Sequence, residues 1–309
     1  MKINIVIPCY NEQEVLAKTI DVLGKLSERI KQETGADTQL LLVDDGSKDC
    51  TWLMIKEAAE AHPFVSGIKL SHNRGHQNAL WAGMEASIDY CDAMVSIDAD
   101  LQDDENVILD MVKQLKEGKD IIYGVRKERK TDTFFKRFTA QAFYKIMQMA
   151  DKEVIYNHAD FRMMSNRTLK ALMQYSERNL FLRAIVRELG FKEGFVYYDR
   201  KAREAGESKY PLKKMLAFSI DGITSFSVAP LKFITFMGLA MTFVAIVMIL
   251  FALVEYFKGE TIQGWTSMLV SLWFIGGIIT TGVGITGLYI GKIYTEVKRR
   301  PRYFIEERV

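Results

Sequence analysis

Two long uncharged stretches constrain this chain more than any other feature. No residue from Phe233 to Val254 is charged, and none from Thr261 to Gly291. A helix needs about 20 apolar residues to cross a bilayer, so each stretch is long enough. The competing reading is a pair of buried core helices, but core helices of that length usually keep a polar face. The pattern predicts spans at about 233–257 and about 266–290 within a 231–292 segment. Lys213, Lys214 and Lys232 precede the first stretch, and Lys292, Lys298, Arg299, Arg300 and Arg302 follow the second. The connection holds only Lys258, with Glu255 and Glu260 nearby. Positive-inside bias then puts both termini in the cytoplasm and the short loop outside, as in a multi-pass protein of the inner (cytoplasmic) membrane. The segment 293–309 is expected to be a basic cytoplasmic tail. The first residues form a strand-like run broken by Pro8, so no secretory leader is expected.

The net charge of +2 over 309 residues argues against a dedicated nucleic-acid binder. Cys9, Cys50 and Cys91 show no ligand spacing and are expected to be reduced thiols. Ahead of the spans, short apolar runs at Ile3–Ile7, Leu40–Val43, Ser66–Leu70, Ala93–Ile97 and Asp120–Tyr123 alternate with helical patterns at about 12–33, 49–61, 75–90 and 104–117. That rhythm predicts an α/β domain over 1–210 with a mostly parallel sheet covered on both faces. Apolar residues recur at helical spacing beside basic ones in 133–149 (Phe135, Phe138, Ala142, Ile146, Met149) and in 211–230 (Leu212, Met215, Leu216, Ile223, Phe226). Such stripes fit helices lying in a membrane interface, and equally fit ordinary helices packed on a sheet. Gly276, Gly277, Gly282, Gly284, Gly287 and Gly291 would let helices approach closely, which makes self-association into a homo-oligomer an expectation.

In open parallel sheets, ligands gather at the carboxyl ends of the strands. Three polar clusters fall at such ends: Cys9-Tyr10-Asn11-Glu12, Asp44-Asp45-Gly46-Ser47 and Asp98-Ala99-Asp100. Two aspartates two apart, where a buried strand opens into a loop, can reach one divalent cation, and Gln102 adds a neutral oxygen. Mg²⁺ and Mn²⁺ prefer oxygen ligands and readily bridge carboxylates to phosphates, which points to a phosphorylated donor. On its own an Asp-x-Asp is as well explained by a solvated turn. Asp44 and Asp45 could accept hydrogen bonds from a ligand, while Ser47 or Asp49 caps the following helix. His72 and His76 have the i, i+4 spacing of zinc ligands, but no third ligand is evident.

The motifs Ile5-Val6-Ile7-Pro8-Cys9-Tyr10-Asn11-Glu12, Val43-Asp44-Asp45-Gly46-Ser47 and Asp98-Ala99-Asp100-Leu101-Gln102 stand in the order and spacing of family 2 glycosyltransferases with the GT-A fold. The match extends through Asn73-Arg74-Gly75, Asp160-Phe161-Arg162 and Arg203-Glu204-Ala205-Gly206-Glu207-Ser208-Lys209-Tyr210-Pro211. With two C-terminal spans, the chain resembles the polyprenyl-phosphate glycosyltransferases, a group that includes dolichyl-phosphate mannose synthases and bactoprenol glucosyltransferases. The Lys298-to-Tyr303 ending resembles the bactoprenol branch most. One departure is visible: the family often has Pro soon after Leu-Gln, where this chain has Asp103-Asp104-Glu105. The Gln-x-x-Arg-Trp signature of processive synthases is absent.

The resemblance implies that Pro8, Tyr10, Glu12, Val43 and Asp45 hold the nucleoside of a nucleotide sugar, with Asp98, Ala99 and Asp100 beside it. It implies that Asp98, Asp100 and Gln102 hold Mg²⁺ or Mn²⁺ and the diphosphate, with Arg203 and Lys209 on phosphates. Arg126, Arg137 and Arg162 would meet the acceptor phosphate, and Asp160 would serve as base or as orienter. The alternatives for these residues are plain: Arg162 could be a salt-bridge partner of Asp160, and Arg126 and Lys209 solvated surface charges. The implied reaction is inverting transfer of one hexose, glucose from UDP-glucose, onto undecaprenyl phosphate. A downstream flippase and an outer-face glycosyltransferase would use the product. The rival enzyme reading changes the donor to UDP-N-acetylglucosamine or a mannosyl nucleotide. The rival of another class is a non-catalytic, membrane-anchored sugar-nucleotide-binding protein. Two short-looped spans offer little pathway for a polar head, which argues against a transporter or flippase.

Overall fold

The structure, a computed structural model, describes residues 1–127, 158–178, 180, 182–199 and 264–309, with scattered positions between 231 and 250. The segments 133–149 and 211–230, 12 of the 25 positions of the expected first span, and Arg137, Arg203 and Lys209 lie outside the described residues. The five apolar runs are strands β1 (Lys2–Cys9), β2 (Asp37–Asp44), β3 (Val65–Leu70), β4 (Ala93–Ser96) and β5 (Ile121–Arg126). Between them lie α1 (Leu16–Thr34), α2 (Thr51–Ala61), α3 (His76–Ser87) and α4 (Ile108–Lys116). The chain continues through β6 (His158–Ser165), α5 (Asn166–Leu172), α6 (Leu182–Glu188), β7 (Glu193–Tyr198), α7 (Trp265–Lys298) and β8 (Ile305–Arg308).

Along β1, Ile3, Ile5, Val6 and Ile7 are all buried, so both faces of this central strand are covered. Leu16, Ile20, Leu23, Leu26 and Ile30 of α1 recur at helical spacing and pack with Ile5 and Leu40 in one core cluster. Burying each such side chain contributes about 1.5–3 kcal/mol. α1 stops at Gly35, whose φ of 66° lets its N–H return to the Lys31 carbonyl at 2.9 Å. On the opposite face α3 lies close to the sheet: a Cβ on Gly83 would stand 2.2 Å from Val6 Cγ1.

The sheet order is β7-β5-β6-β4-β1-β2-β3-β8. β3, β2, β1 and β4 run parallel; β6 is antiparallel to both β4 and β5, which leaves β5 pointing the same way as β4. The carboxyl ends of β1, β2, β4 and β5 therefore share one rim. This is the expected α/β class, with one antiparallel insertion at β6.

The C-terminal residues hold a feature the sequence reading does not anticipate. α7 runs to Lys298, and the expected basic tail then returns to the sheet as β8, antiparallel to β3. Gly67 and Val309 exchange N–H···O bonds of 2.8 and 3.0 Å. The charged side chains of β8 find partners on the sheet's edge and on α2. Glu307 accepts from Trp52 Nε1 at 2.8 Å and pairs with Lys56 at 2.5 Å, and Glu306 pairs with Lys69 at 3.2 Å. Arg302 donates to the carbonyls of Tyr175 (2.9 Å) and Glu177 (2.6 Å), with its guanidinium 3.9 Å from the Trp81 ring centroid.

The chain divides into two compact units, one holding the sheet together with Arg299–Val309 and the other holding α7. Within α7, Phe274–Lys298 is the one segment among the described residues long and apolar enough to cross a membrane. Its mean hydropathy is 1.5 and only 6% of its apolar window is buried.

Candidate active site

The site is built from loops that leave the shared rim. β1 and β2 end side by side, with Cys9 opposite Asp44. The two loops that follow are laced together: Asn11 N–H donates to Ser47 Oγ at 2.9 Å, Lys48 N–H donates to Asn11 Oδ1 at 2.8 Å, and Glu12 N–H donates to Thr51 Oγ1 at 2.9 Å. The N-cap position is Cys50, with no side-chain cap, rather than Ser47 or Asp49; Asp49, one residue ahead of it, accepts the Thr51 N–H at 3.0 Å. Asp44 turns back instead, accepting the Ser47 N–H at 3.2 Å.

Asp45, expected at the nucleoside, is buried and accepts one backbone N–H on each oxygen, from Arg74 at 2.7 Å and Gly75 at 2.8 Å. Burial pushes its pKa up, and those two amides pull it back. Asp45 thus fixes the loop after β3 against the loop after β2. Gly46 permits the contact: its φ is +67°, and a Cβ there would lie 2.6 Å from the His72 carbonyl carbon. Gly46→Ala is expected to cost about 2 kcal/mol or more, from left-handed strain plus the clash. Thermal melting checks it, and an unchanged midpoint would contradict the close approach. Pro8, Tyr10 and Glu12 are half-buried on this floor. Val43 is 0% exposed, so only its main chain could meet a ligand.

β4 opens directly into the acidic turn. Ile97 N–H still bonds the Val6 carbonyl at 3.1 Å, and the chain then bends at Asp98 and Asp100, with Leu101 at a φ of 47°. Thr19 Oγ1 on α1 donates to the Ala99 carbonyl at 2.6 Å and anchors the middle of the turn. Gln102 Nε2 donates to Asp100 Oδ2 at 2.8 Å. Gln102 therefore aims Asp100 through its amide nitrogen. Asp98 keeps 42% of its side chain exposed. Burial of its inner side, reinforced by the carboxylates of Asp103, Asp100 and Asp160, holds its pKa above the usual range, while His76 acts the other way.

Asp160 faces this turn from β6, and the Ser96 hydroxyl on β4 holds its backbone carbonyl. Its carboxylate is 8% exposed and is gripped by Arg162 and by Arg183, the latter at 3.0 Å. His76 Nε2 stands 3.9 Å from Asp160 and 3.8 Å from Asp98. Burial alone would raise the Asp160 pKa, but the two arginines overcome it and hold the group far below the ordinary carboxylate range. Arg162 is 0% exposed, donating to Asp160 and to the Leu182 carbonyl at 3.0 Å. A guanidinium with no solvent face cannot meet an incoming phosphate, so the expected acceptor contact of Arg162 is replaced by an ion pair with Asp160. Arg126, at the end of β5, is neither solvated nor turned wholly outward: its Nη2 and Nε donate to Asp103 Oδ1 at 2.9 and 3.2 Å.

The structure thus brings together Asp98, Asp100, Gln102, Asp160 and Arg126 on one rim. Sequence reasoning missed Arg183, His76 as a neighbour of both Asp98 and Asp160, and the partnership of Asp103 with Arg126. For Arg183 no spacing signal exists. Asp103 did leave one, because in the acidic run Asp103-Asp104-Glu105 any carboxylate that is buried needs a counter-charge. Among the described residues no three of His, Cys, Asp or Glu converge as a ready-made metal centre. Asp98 and Asp100, two residues apart on the partly exposed turn, are the donor type for Mg²⁺ or Mn²⁺, which are commonly held by one or two carboxylates plus substrate phosphates and water.

The family model "Glycosyl transferase family 2" matches residues 4–190. The chain is 49% identical over 306 residues to the uncharacterized glycosyltransferase YkoT of Bacillus subtilis (strain 168), covering 98% of this chain and 91% of that protein. It is 35% identical over 311 residues to the prophage bactoprenol glucosyl transferase homolog of Escherichia coli (strain K12), covering 99% of both chains. It is also 35% identical over 310 residues to the bactoprenol glucosyl transferase of Shigella phage SfX, covering 100% of both.

Proposed function

The chain belongs to glycosyl transferase family 2, and from that premise we propose that it transfers a single glucose from UDP-glucose onto undecaprenyl phosphate at the cytoplasmic face of the membrane. The observation that carries this reading is the acidic turn at Asp98 and Asp100, open to solvent and facing the Asp160–Arg183 pair, in a chain that aligns end to end with bactoprenol glucosyl transferases.

Asp98 and Asp100 would hold a divalent cation. When bound, that ion offsets the negative charge that grows on the departing diphosphate. The chain's own residues do the rest. The laced loops at Asn11, Ser47 and Asp45 form a rigid wall for the nucleoside. Arg126, with Arg137, Arg203 and Lys209 from the remaining expectations, supplies positive charge for phosphates, which guanidinium groups match bidentately. A phosphate monoester has a second pKa of about 6 and is largely a dianion at neutral pH. Its oxygen forms a bond to the anomeric carbon as the bond from that carbon to the diphosphate oxygen breaks. The electron pair leaves with the nucleoside diphosphate, and the anomeric configuration inverts. No proton has to be removed, and Asp160, committed to two arginines, acts as an orienter of Arg183 rather than as a base.

β1 and the residues after α7 share one sheet. That supports a paired-span arrangement with both termini in the cytoplasm: a chain whose ends lie on one side of a bilayer crosses it an even number of times. The uncharged stretch Phe233–Val254 is the natural partner of α7.

The test is incubation of the purified full chain with undecaprenyl phosphate and UDP-glucose, UDP-N-acetylglucosamine or GDP-mannose, with Mg²⁺ or Mn²⁺. Lipid-linked glucose from UDP-glucose is expected. Product from another donor alone would change the sugar, and nucleotide binding without product from any donor would favour the binding-protein reading.

A further inference from the structure

Behind the acidic turn lies a buried knot of three side chains from three separate elements. Asp103, directly after Gln102, has a side chain only 2% exposed. Its Oδ1 accepts from Tyr198 Oη at 2.7 Å, from Arg126 Nη2 at 2.9 Å and from Arg126 Nε at 3.2 Å. Tyr198 Oη also stands 3.3 Å from Arg126 Nε, so the three groups close a ring. Strand register sets up the meeting, because β5 and β7 run parallel with Arg126 opposite Tyr198. The Tyr198 ring is fixed in turn, edge-on to Phe161 at 5.5 Å.

A carboxylate buried this deeply is costly unless it is paired and hydrogen-bonded. Here its three hydrogen bonds all run to one oxygen and link two functional parts. One part is the turn: Asp100 is two residues from Gln102 and three from Asp103, and Asp104 locks the far side by accepting the Asn106 N–H at 3.1 Å. The other part is Arg126, whose Nε–Nη2 edge is turned inward, so that the Asp103 carboxylate selects the direction of the rest of the guanidinium.

We propose that Asp103, supported by Tyr198, is a positioning residue that couples Arg126 rigidly to the Asp98–Asp100 turn, so that the cation-holding carboxylates and the phosphate-binding guanidinium keep one fixed spacing during transfer. This rests on the function proposed above. Asp103 touches neither donor nor acceptor and acts through Arg126. A shift of about 1 Å in such a constellation costs on the order of 100-fold in rate.

The experiment is a double-mutant cycle on the full chain in detergent with undecaprenyl phosphate. Asp103→Asn alone is expected to lower kcat about 10- to 100-fold with the KM for UDP-glucose changed less than about threefold. In an Arg126→Gln background the same substitution should cost less than about twofold further, because the residue it positions is already gone. Additive losses, or a rise in KM with kcat unchanged, would overturn the proposal. If Asp103→Asn does not fold, Tyr198→Phe in the same cycle replaces it, with an expected loss of about 3- to 10-fold that Arg126→Gln again absorbs. If the wild-type chain forms no lipid-linked sugar, the functional reading fails separately. The cycle is then read on undecaprenyl phosphate affinity, where coupling between positions 103 and 126 supports the proposal and additivity overturns it.

Discussion

Asp160→Asn is expected to destabilise the protein by about 3–5 kcal/mol at pH 7, because it removes the counter-charge from a guanidinium with no access to water. Arg162 is 0% exposed and Arg183 is 30% exposed, and both lean on this one carboxylate. The asparagine keeps the shape but leaves two positive charges facing each other in a weakly screened interior. The sign of the pH dependence follows from the direction of the Asp160 shift. Its folded pKa lies far below the unfolded value of about 3.9. Its contribution is therefore fully present above about pH 4 and fades as the pH falls toward the folded value. The gap between wild type and Asp160→Asn should be widest at neutral pH and narrow below about pH 4. Thermal melting of both full-length proteins in detergent across that range checks this, and a gap that grows on acidification would refute the pairing. Activity supplies a second readout. An orienting role predicts that folded Asp160→Asn loses transfer without any displacement of the acid limb of the kcat profile.

Asp100→Ala should lower transfer at least about 1000-fold while leaving the fold intact, a loss in the range expected when charge stabilisation at a developing anion is removed. The fold should survive because Asp100 lies on a partly exposed turn, and its hydrogen bonds to Gln102 join near neighbours in the chain rather than separate elements of the sheet. Removal of divalent ions by a chelator should abolish wild-type transfer equally, and added Mn²⁺ or Mg²⁺ should restore it. Undiminished transfer in a chelator would eliminate the cation from the reaction. A binding protein without turnover would lose UDP affinity in Asp100→Ala but have no product formation to lose, so assaying product and affinity together separates the two.

The parallel part of the fold was legible because it obeys simple periodicities. β1 to β5 are apolar runs punctuated by turn residues, and their order alone brings Asn11, Asp45 and Asp98 to one rim. The later strands obey no such rule. β6 reads His158-Ala159-Asp160-Phe161-Arg162-Met163-Met164-Ser165, and its two charges conceal a strand that is nevertheless paired on both edges. Those charges neutralise each other inside the protein, and such compensation has no signature in a linear sequence. β8 is harder still. Ile305-Glu306-Glu307-Arg308 has the composition of a solvated tail, and only the lysines and tryptophan waiting at positions 56, 69 and 52 make it a strand.

The same limit applies to the site. The Asp98–Asp100 pair announces itself, because two acids after a buried strand are unusual. Whether an arginine faces inward or outward depends on its counter-ion, and that partner can be far away in the chain. Arg126 finds Asp103, 23 positions earlier, and Arg183 finds Asp160, also 23 positions earlier. Asp45 is the converse case, since its position was legible but its task was not. Its two oxygens are spent on amides of a loop some 30 residues on.

The position of β8 bears on how the protein is made. Domains form from the N-terminus as the ribosome advances, at about 5–20 residues per second. β8 is synthesised after β3 and after both uncharged stretches, so it can pair with β3 only once those stretches have left the ribosome. Until then one margin of β3 stays open, with the Gly67 amide and carbonyl lacking Val309. Unpaired margins of this kind invite wrong partners. A chain that stops a few residues before Val309 would therefore keep an adhesive border on β3, and any fusion placed after Val309 begins at a residue that is itself hydrogen-bonded into the sheet.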